Sequence, residues 1–265
     1  MGEAAHSAPV QTCGTSSALL EFEPQVFQSY WIAIAVVAIV FAGSIVQAGL
    51  GMGFGLTVAP ILALLDPVLV PVSALYLGTA TSIAGAWTER ANIVWREAGT
   101  CLTGRAMGIL FGLYILLGLT SLKTFSLVFG IIILFAVLLS AAGWQLALNL
   151  RNLFAMGVVS GFTGVITSVG APPLALIYQS QPATKSRATL ATFFALGGAI
   201  SLIVLYVAGR GKLTHFWLAL FMAPAAIAGT LAGRRLKSGF DRRYRVFLLG
   251  IAVVASLMLI YRGLS

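Results

Sequence analysis

Acidic side chains are scarce in this chain: seven Asp and Glu among 265 residues, with only two His and two Cys. Two histidines and two cysteines make a zinc centre untenable. Cys13 lies in a polar tail and Cys101 at a helix start, so they suggest neither a disulfide framework nor a metal site. No Asp or Glu stands in the middle of an apolar run: Asp66 is at a turn, Glu89 and Glu97 flank a loop, and Asp241 sits among basic residues. That absence argues against a proton relay or sodium site made of buried carboxylates. It also argues against a hydrolase, which needs a nucleophile with a base, or paired acids. Charged residues are 9% of the chain, too few for a water-facing surface, which usually carries about 25%. What fills the chain is apolar: 59% hydrophobic residues and a mean hydropathy of +1.00. The runs are continuous rather than alternating, so the expectation is an all-α integral membrane protein and not a barrel. The net charge of +9 comes from residues at the ends of apolar runs, with no basic face for nucleic acid.

Charges and Gly/Pro breaks divide the sequence into ten apolar segments. They fall at about 28–48, 54–66, 69–88, 98–119 and 123–148, then about 151–166, 171–181, 187–208, 213–235 and 244–262. The first 27 residues read as a polar, acidic tail without the basic start of a signal peptide. The two repeats are 28–148 and 151–265. If every segment crosses, eleven Lys and Arg lie on one side of the membrane and four on the other. The positive-inside rule then puts both termini outside the cytoplasm. The 234–245 cluster has two readings, a topology determinant or a site for anionic lipid headgroups.

Segments two and seven are short, and each directly follows a glycine-rich break. The first break reads Gly49-Leu50-Gly51-Met52-Gly53-Phe54-Gly55, then Thr57 and Pro60; the second holds Gly161, Gly164, Thr167, Ser168, Gly170, Pro172 and Pro173. Broken backbone survives at membrane depth only where it faces protein or a water-lined cavity. The halves align at an offset of 113 residues, Gly51 on Gly164, Pro60 on Pro173 and Thr79 on Thr192. Further on, at 121, Gly108, Gly112 and Gly118 meet Gly229, Gly233 and Gly239. Five segments per half reverse the second half's orientation, the arithmetic of an inverted repeat in a carrier.

The Gly-rich break ending in Pro60, the Thr79-Ala80-Thr81-Ser82 stretch, the second break with Pro172-Pro173, and Lys185-Ser186-Arg187-Ala188-Thr189 occur in that order. With these motifs the chain resembles the sulfite exporter TauE/SafE family from about residue 30 onward. The resemblance implies an inner (plasma) membrane transporter that exports small sulfur-containing anions, such as sulfite or an organosulfonate like sulfoacetate. One departure is that family members often carry adjacent glycines at the second break, where this chain has Ser168-Val169 before a lone Gly170. That implies a narrower or chemically altered site.

A helix that restarts in mid-membrane presents unpaired amides and a positive dipole end, which together bind anions. The candidate substrate-binding positions are therefore Gly51, Gly53, Phe54, Gly55 and Thr57 at the first break, with Gly164, Thr167, Ser168 and Gly170 at the second. The competing reading of the glycines is close helix packing. Thr79, Thr81, Ser82 and Thr192 are candidates for lining the path, against the alternative that they bond back to their own helix. Arg105 is the one basic residue inside a segment. It is either an anion attractor at the inner vestibule or a side chain that snorkels to the interface. Tyr178 and four tryptophans (Trp31, Trp87, Trp95, Trp217) suit interfacial belts, and Gln47 adds polarity near a span end. No cofactor is called for, and the partners expected are the anion and membrane lipids, with oligomeric state left open. The expected mechanism is alternating access with voltage-driven efflux; a passive anion channel, or an exporter of another small oxyanion or carboxylate, is the competing reading.

Overall fold

The computed structural model describes residues 29–50, 53–235 and 242–265, which form ten α-helices and, among the described residues, no strand. In chain order they are α1 Tyr30–Leu50, α2 Phe54–Leu65, α3 Val72–Thr88, α4 Trp95–Gly118 and α5 Leu122–Ala141. The second set is α6 Leu150–Thr167, α7 Ala171–Tyr178, α8 Ala183–Val207, α9 Leu213–Arg235 and α10 Arg242–Leu264. Six of them (α1, α4, α5, α6, α8 and α9) are long and apolar enough to cross a bilayer. The chain is a multi-pass α-helical membrane protein. Phe111, Leu110, Phe135 and Leu138 point outward on the bundle surface, as lipid-facing side chains do. The expected polar tail lies outside the described residues, as does Gly51.

One boundary differs clearly from the sequence expectation. The fifth segment was expected to run to residue 148, yet α5 stops at Ala141 and Gly143 turns left-handed with φ 66°. Gly143 opens a strap that lies along α7, where Leu146 N–H donates to Leu176 O at 2.9 Å and the Gln179 side chain donates to Trp144 O. Asn149 then caps α6 by accepting from Asn152 N–H at 2.8 Å. Hydrophobicity alone could not mark this stop, because residues 142–148 are as apolar as a helix. The other ends moved less: α3 begins at Val72 after a short 3-10 turn at Pro67–Leu69, and α8 begins at Ala183.

Lipid tails offer no hydrophobic drive for helix pairing, so close backbone approach through small residues holds membrane bundles together. The α4–α6 seam is built that way from both sides. A Cβ at Gly104, Gly108 or Gly112 would run into the carbonyls of Phe154, Val158 and Phe162. Likewise Gly157 and Gly161 abut the Cys101 and Arg105 carbonyls. The α1–α9 seam repeats the device, with Gly229 against Phe41 O and Gly233 against Ile45 O. Exchanging each helix of the first five with its equivalent in the second five leaves most pairings in place: α4–α6 becomes α9–α1, α4–α8 becomes α9–α3, α2–α10 becomes α7–α5. The α3–α8 and α5–α10 pairs map onto themselves and, like α4–α6 and α1–α9, join the first five helices to the second five.

Candidate functional site

The two breaks meet in the middle of the bundle. At the first, Gly53 takes φ 110°, a conformation that favours glycine, and α2 starts at Phe54. Its first amide is not free: Phe54 N–H donates to Gln47 Oε1 at 3.0 Å. At the second break α6 ends with Ser168 at φ 64°, where an L-residue incurs roughly 1–2 kcal/mol. The side chain offsets part of this cost, because Ser168 Oγ donates to Pro71 O at 2.9 Å. Gly170 O accepts from Ser160 Oγ at 2.6 Å, and Val169 N–H donates to Thr167 Oγ1 at 3.2 Å. Gly55 lies against the Ser168 carbonyl, with room for no side chain between the breaks. Pro172 and Pro173 leave α7 with fewer amides to offer than α2 has.

A cavity of about 460 Å³, its open mouth included, lies where the breaks converge. Of the residues singled out from sequence, Gly53, Phe54, Gly55, Thr79, Ser82, Arg105, Ser168 and Gly170 line it. Phe194, Ala74 and Leu75 make its wall largely apolar.

Arg105 dominates the electrostatics. It is ten residues into α4, about 15 Å of helix from Trp95, and 2% exposed. The snorkelling alternative fails, because the side chain is held inside the bundle at the central cavity rather than at an inner vestibule. Nη1 donates to Ser160 Oγ at 3.2 Å and Nη2 to Ser201 Oγ at 3.4 Å. The guanidinium carbon stands 5.1 Å from the Phe193 ring centre and 6.0 Å from that of Phe194, within cation–π range. Three glycines make its slot: a Cβ at Gly197 would strike Cδ and Nε, while one at Gly170 or Gly164 would sit 3.1 Å from Nη1 or 3.2 Å from Nη2. Among the described residues the ion pairs join Lys185 to Glu97 and Arg187 to Glu89, and no carboxylate pairs with Arg105. Its Nε has no hydrogen-bond partner among them. An unpaired buried ion carries a desolvation penalty of several kcal/mol, of which two hydroxyls and two ring faces return a part. Thr79, another lining residue, likewise has its Oγ1 buried and unpartnered.

The remaining candidates are placed otherwise. Thr57, Thr81, Thr167 and Thr192 donate to carbonyls of their own helices or the residue just before, at 3.1 Å to Gly53 O, 2.9 Å to Leu77 O, 2.7 Å to Thr163 O and 2.9 Å to Ala188 O. Gly164 packs beside the guanidinium instead of lining the cavity. Tyr178, expected at an interface, is buried at 2% exposure, and its hydroxyl donates to Glu97 Oε2 at 2.8 Å. Ser160 and Ser201, the two hydroxyls on Arg105, were not singled out from sequence. A faint signal exists, since each lies one turn from a slot glycine, as Ser160-x3-Gly164 and Gly197-x3-Ser201.

Among the described residues, ten helices, two of them short and restarting where the breaks meet, with a buried cation at the junction, define a polytopic membrane protein. The family model described as "Sulfite exporter TauE/SafE" matches residues 35–259, more than four fifths of the chain. The chain belongs to this family of membrane transporters. No curated protein and no solved structure matches it.

Proposed function

We propose that this protein exports a small sulfur-containing oxyanion, sulfite or an organosulfonate such as sulfoacetate, across the inner membrane by alternating access. The observation that carries the reading is Arg105, a buried guanidinium with an unsatisfied Nε and, among the described residues, no carboxylate partner, in the lining of a cavity walled by both helix breaks. A bound anion offsets this charge and accepts hydrogen bonds from Arg105 and Thr79. The amides at the start of α2 add a positive dipole end on the same cavity. The apolar wall of Phe54, Leu75 and Phe194 suits the carbon part of a sulfonate.

The halves 28–148 and 151–265 act as inverted repeats, a reading supported by the helix pairings that survive their exchange. The excess of Lys and Arg on one side supports an orientation with both termini outside the cytoplasm. With one fixed cation, a site loaded with a monoanion such as bisulfite is neutral, one loaded with sulfoacetate, a dianion at neutral pH, carries one net negative charge, and the empty site carries one positive charge. An inside-negative potential therefore drives the empty site's return, by about 2.3 kcal/mol per charge per 100 mV. Purified protein in liposomes filled with sulfoacetate should release it under a potassium diffusion potential alone, and Arg105→Gln should abolish the release. A strict need for a pH gradient refutes the voltage mechanism, and undiminished flux in Arg105→Gln refutes the site. Flux that never saturates would make the protein a channel.

A further inference from the structure

Beside the central cavity lies a second one, lined by Thr81, Gly85, Thr88, Glu89 and Arg187 at the end of the bundle where α3 gives way to α4 and α8 begins. The Arg187–Glu89 ion pair, at 3.1 Å and partly exposed, stands at its rim. Both cavities share two lining residues, Gln47 and Ser82. These two are bonded to each other, Gln47 Nε2 donating to Ser82 Oγ at 3.1 Å, and both are buried. The other end of the same carboxamide accepts from Phe54 N–H at 3.0 Å, which fixes its orientation, since only the oxygen can accept. One planar group thus closes the partition between the cavities and occupies the first amide of α2. Gln47 lies in the last turn of α1, at the edge of the break.

The amide that Gln47 holds is one an anion in the central cavity would take. A neutral acceptor on a backbone N–H is roughly half as strong as a charged one, so an oxyanion outcompetes the carboxamide while water or a neutral solute does not. Because the carboxamide is rigid, losing its oxygen contact swings its nitrogen away from Ser82. We propose that Gln47 is a substrate-displaced gate: its carboxamide stands in for the anion at the α2 terminus and bars passage to the second cavity, which is the vestibule. Opening is compensated only when an anion replaces the carboxamide, so selectivity for charge resides in the gate as well as in Arg105. The proposal rests on the central cavity being the anion site.

The test places a reporter on the central wall as Ala74→Cys, in a chain carrying Cys13→Ser and Cys101→Ala, and measures its alkylation by N-ethylmaleimide in detergent. Gln47→Ala should accelerate alkylation at least tenfold in the absence of any anion. Ser82→Ala, which cuts the bridge and keeps the Phe54 amide bonded, should accelerate it too. In a parallel thermal-shift titration with sulfoacetate, Gln47→Ala should bind about tenfold tighter, because one hydrogen bond no longer has to be displaced. Gln47→Glu should lose the binding, its tethered carboxylate filling the site. Unchanged alkylation, or weaker sulfoacetate binding in Gln47→Ala, overturns the gate. If the wild type is stabilised by no oxyanion at all, the anion site fails and the displacement with it, whereas intact binding with unchanged alkylation sinks the gate alone.

Discussion

Replacing Gly197 with alanine puts one methyl group where Arg105 Cδ and Nε now lie. The backbone of α8 cannot yield, so the arginine side chain must swing out of its slot. Its hydrogen bonds to Ser160 and Ser201, at 3.2 and 3.4 Å, have little slack and would break together. Hydrogen bonds from a charged donor contribute about 1.5–3 kcal/mol each. Overpacking costs about 1–3 kcal/mol, and alanine regains nearly 1 kcal/mol of helix propensity over glycine. The net loss is roughly 3–8 kcal/mol, so the Tm should fall by about 6 °C or more, while the cation leaves the cavity. Sulfoacetate affinity should fall by about 10- to 100-fold, the equivalent of roughly 1.4–2.7 kcal/mol. Thermal-shift titration in detergent reads both quantities on one sample. Gly250→Ala is the control, since a Cβ there meets nothing within 4 Å. Wild-type affinity in a folded Gly197→Ala protein would refute the claim that the slot aims the guanidinium at the substrate.

Thr79→Val keeps the side chain's shape and removes a buried hydroxyl with no partner, so stability should hold or rise slightly while sulfoacetate affinity drops about fivefold to tenfold, one hydrogen bond's worth. An unaltered dissociation constant would take Thr79 out of the site. Gly108→Leu drives a branched side chain into the Val158 carbonyl across the α4–α6 seam. It should cost more than about 3 kcal/mol, read as loss of the monodisperse detergent peak on size exclusion. A stable Gly108→Leu protein would mean that the seam tolerates separation.

The helices and both interruptions were legible in the sequence because they arise from local signals: long apolar runs, charges at their ends, and Gly-rich stretches ahead of Pro60 and Pro172. The sequence put Arg105 inside a segment but not its depth, since an inner vestibule and a snorkelling side chain were the two readings and the guanidinium lies at the central cavity. What surrounds it was not. Ser160 and Ser201 reach the guanidinium from 55 and 96 residues away, and a glycine one turn from each is too faint a mark to set them apart from other small polar residues in membrane helices. The threonines show the same limit. Thr81 and Thr79 belong to one stretch, yet Thr81 bonds back to its helix while Thr79 faces Gly198 and stays unbonded. Gln47 read as span-end polarity because its partners, the Phe54 amide and Ser82, meet it only once α2 and α3 have folded against α1.

The glycine seam between α4 and α6 bears on how such a protein acquires new cargo. Gly161 rests on the carbonyl of Arg105 itself, so one flank of the chamber is welded to the cation and has no freedom to drift. Adaptation to a bulkier or longer solute must therefore come from the opposite flank, where Ala74 and Leu75 can be enlarged or trimmed without touching the guanidinium. Paralogues with different diets should diverge at those two positions and stay frozen along the weld.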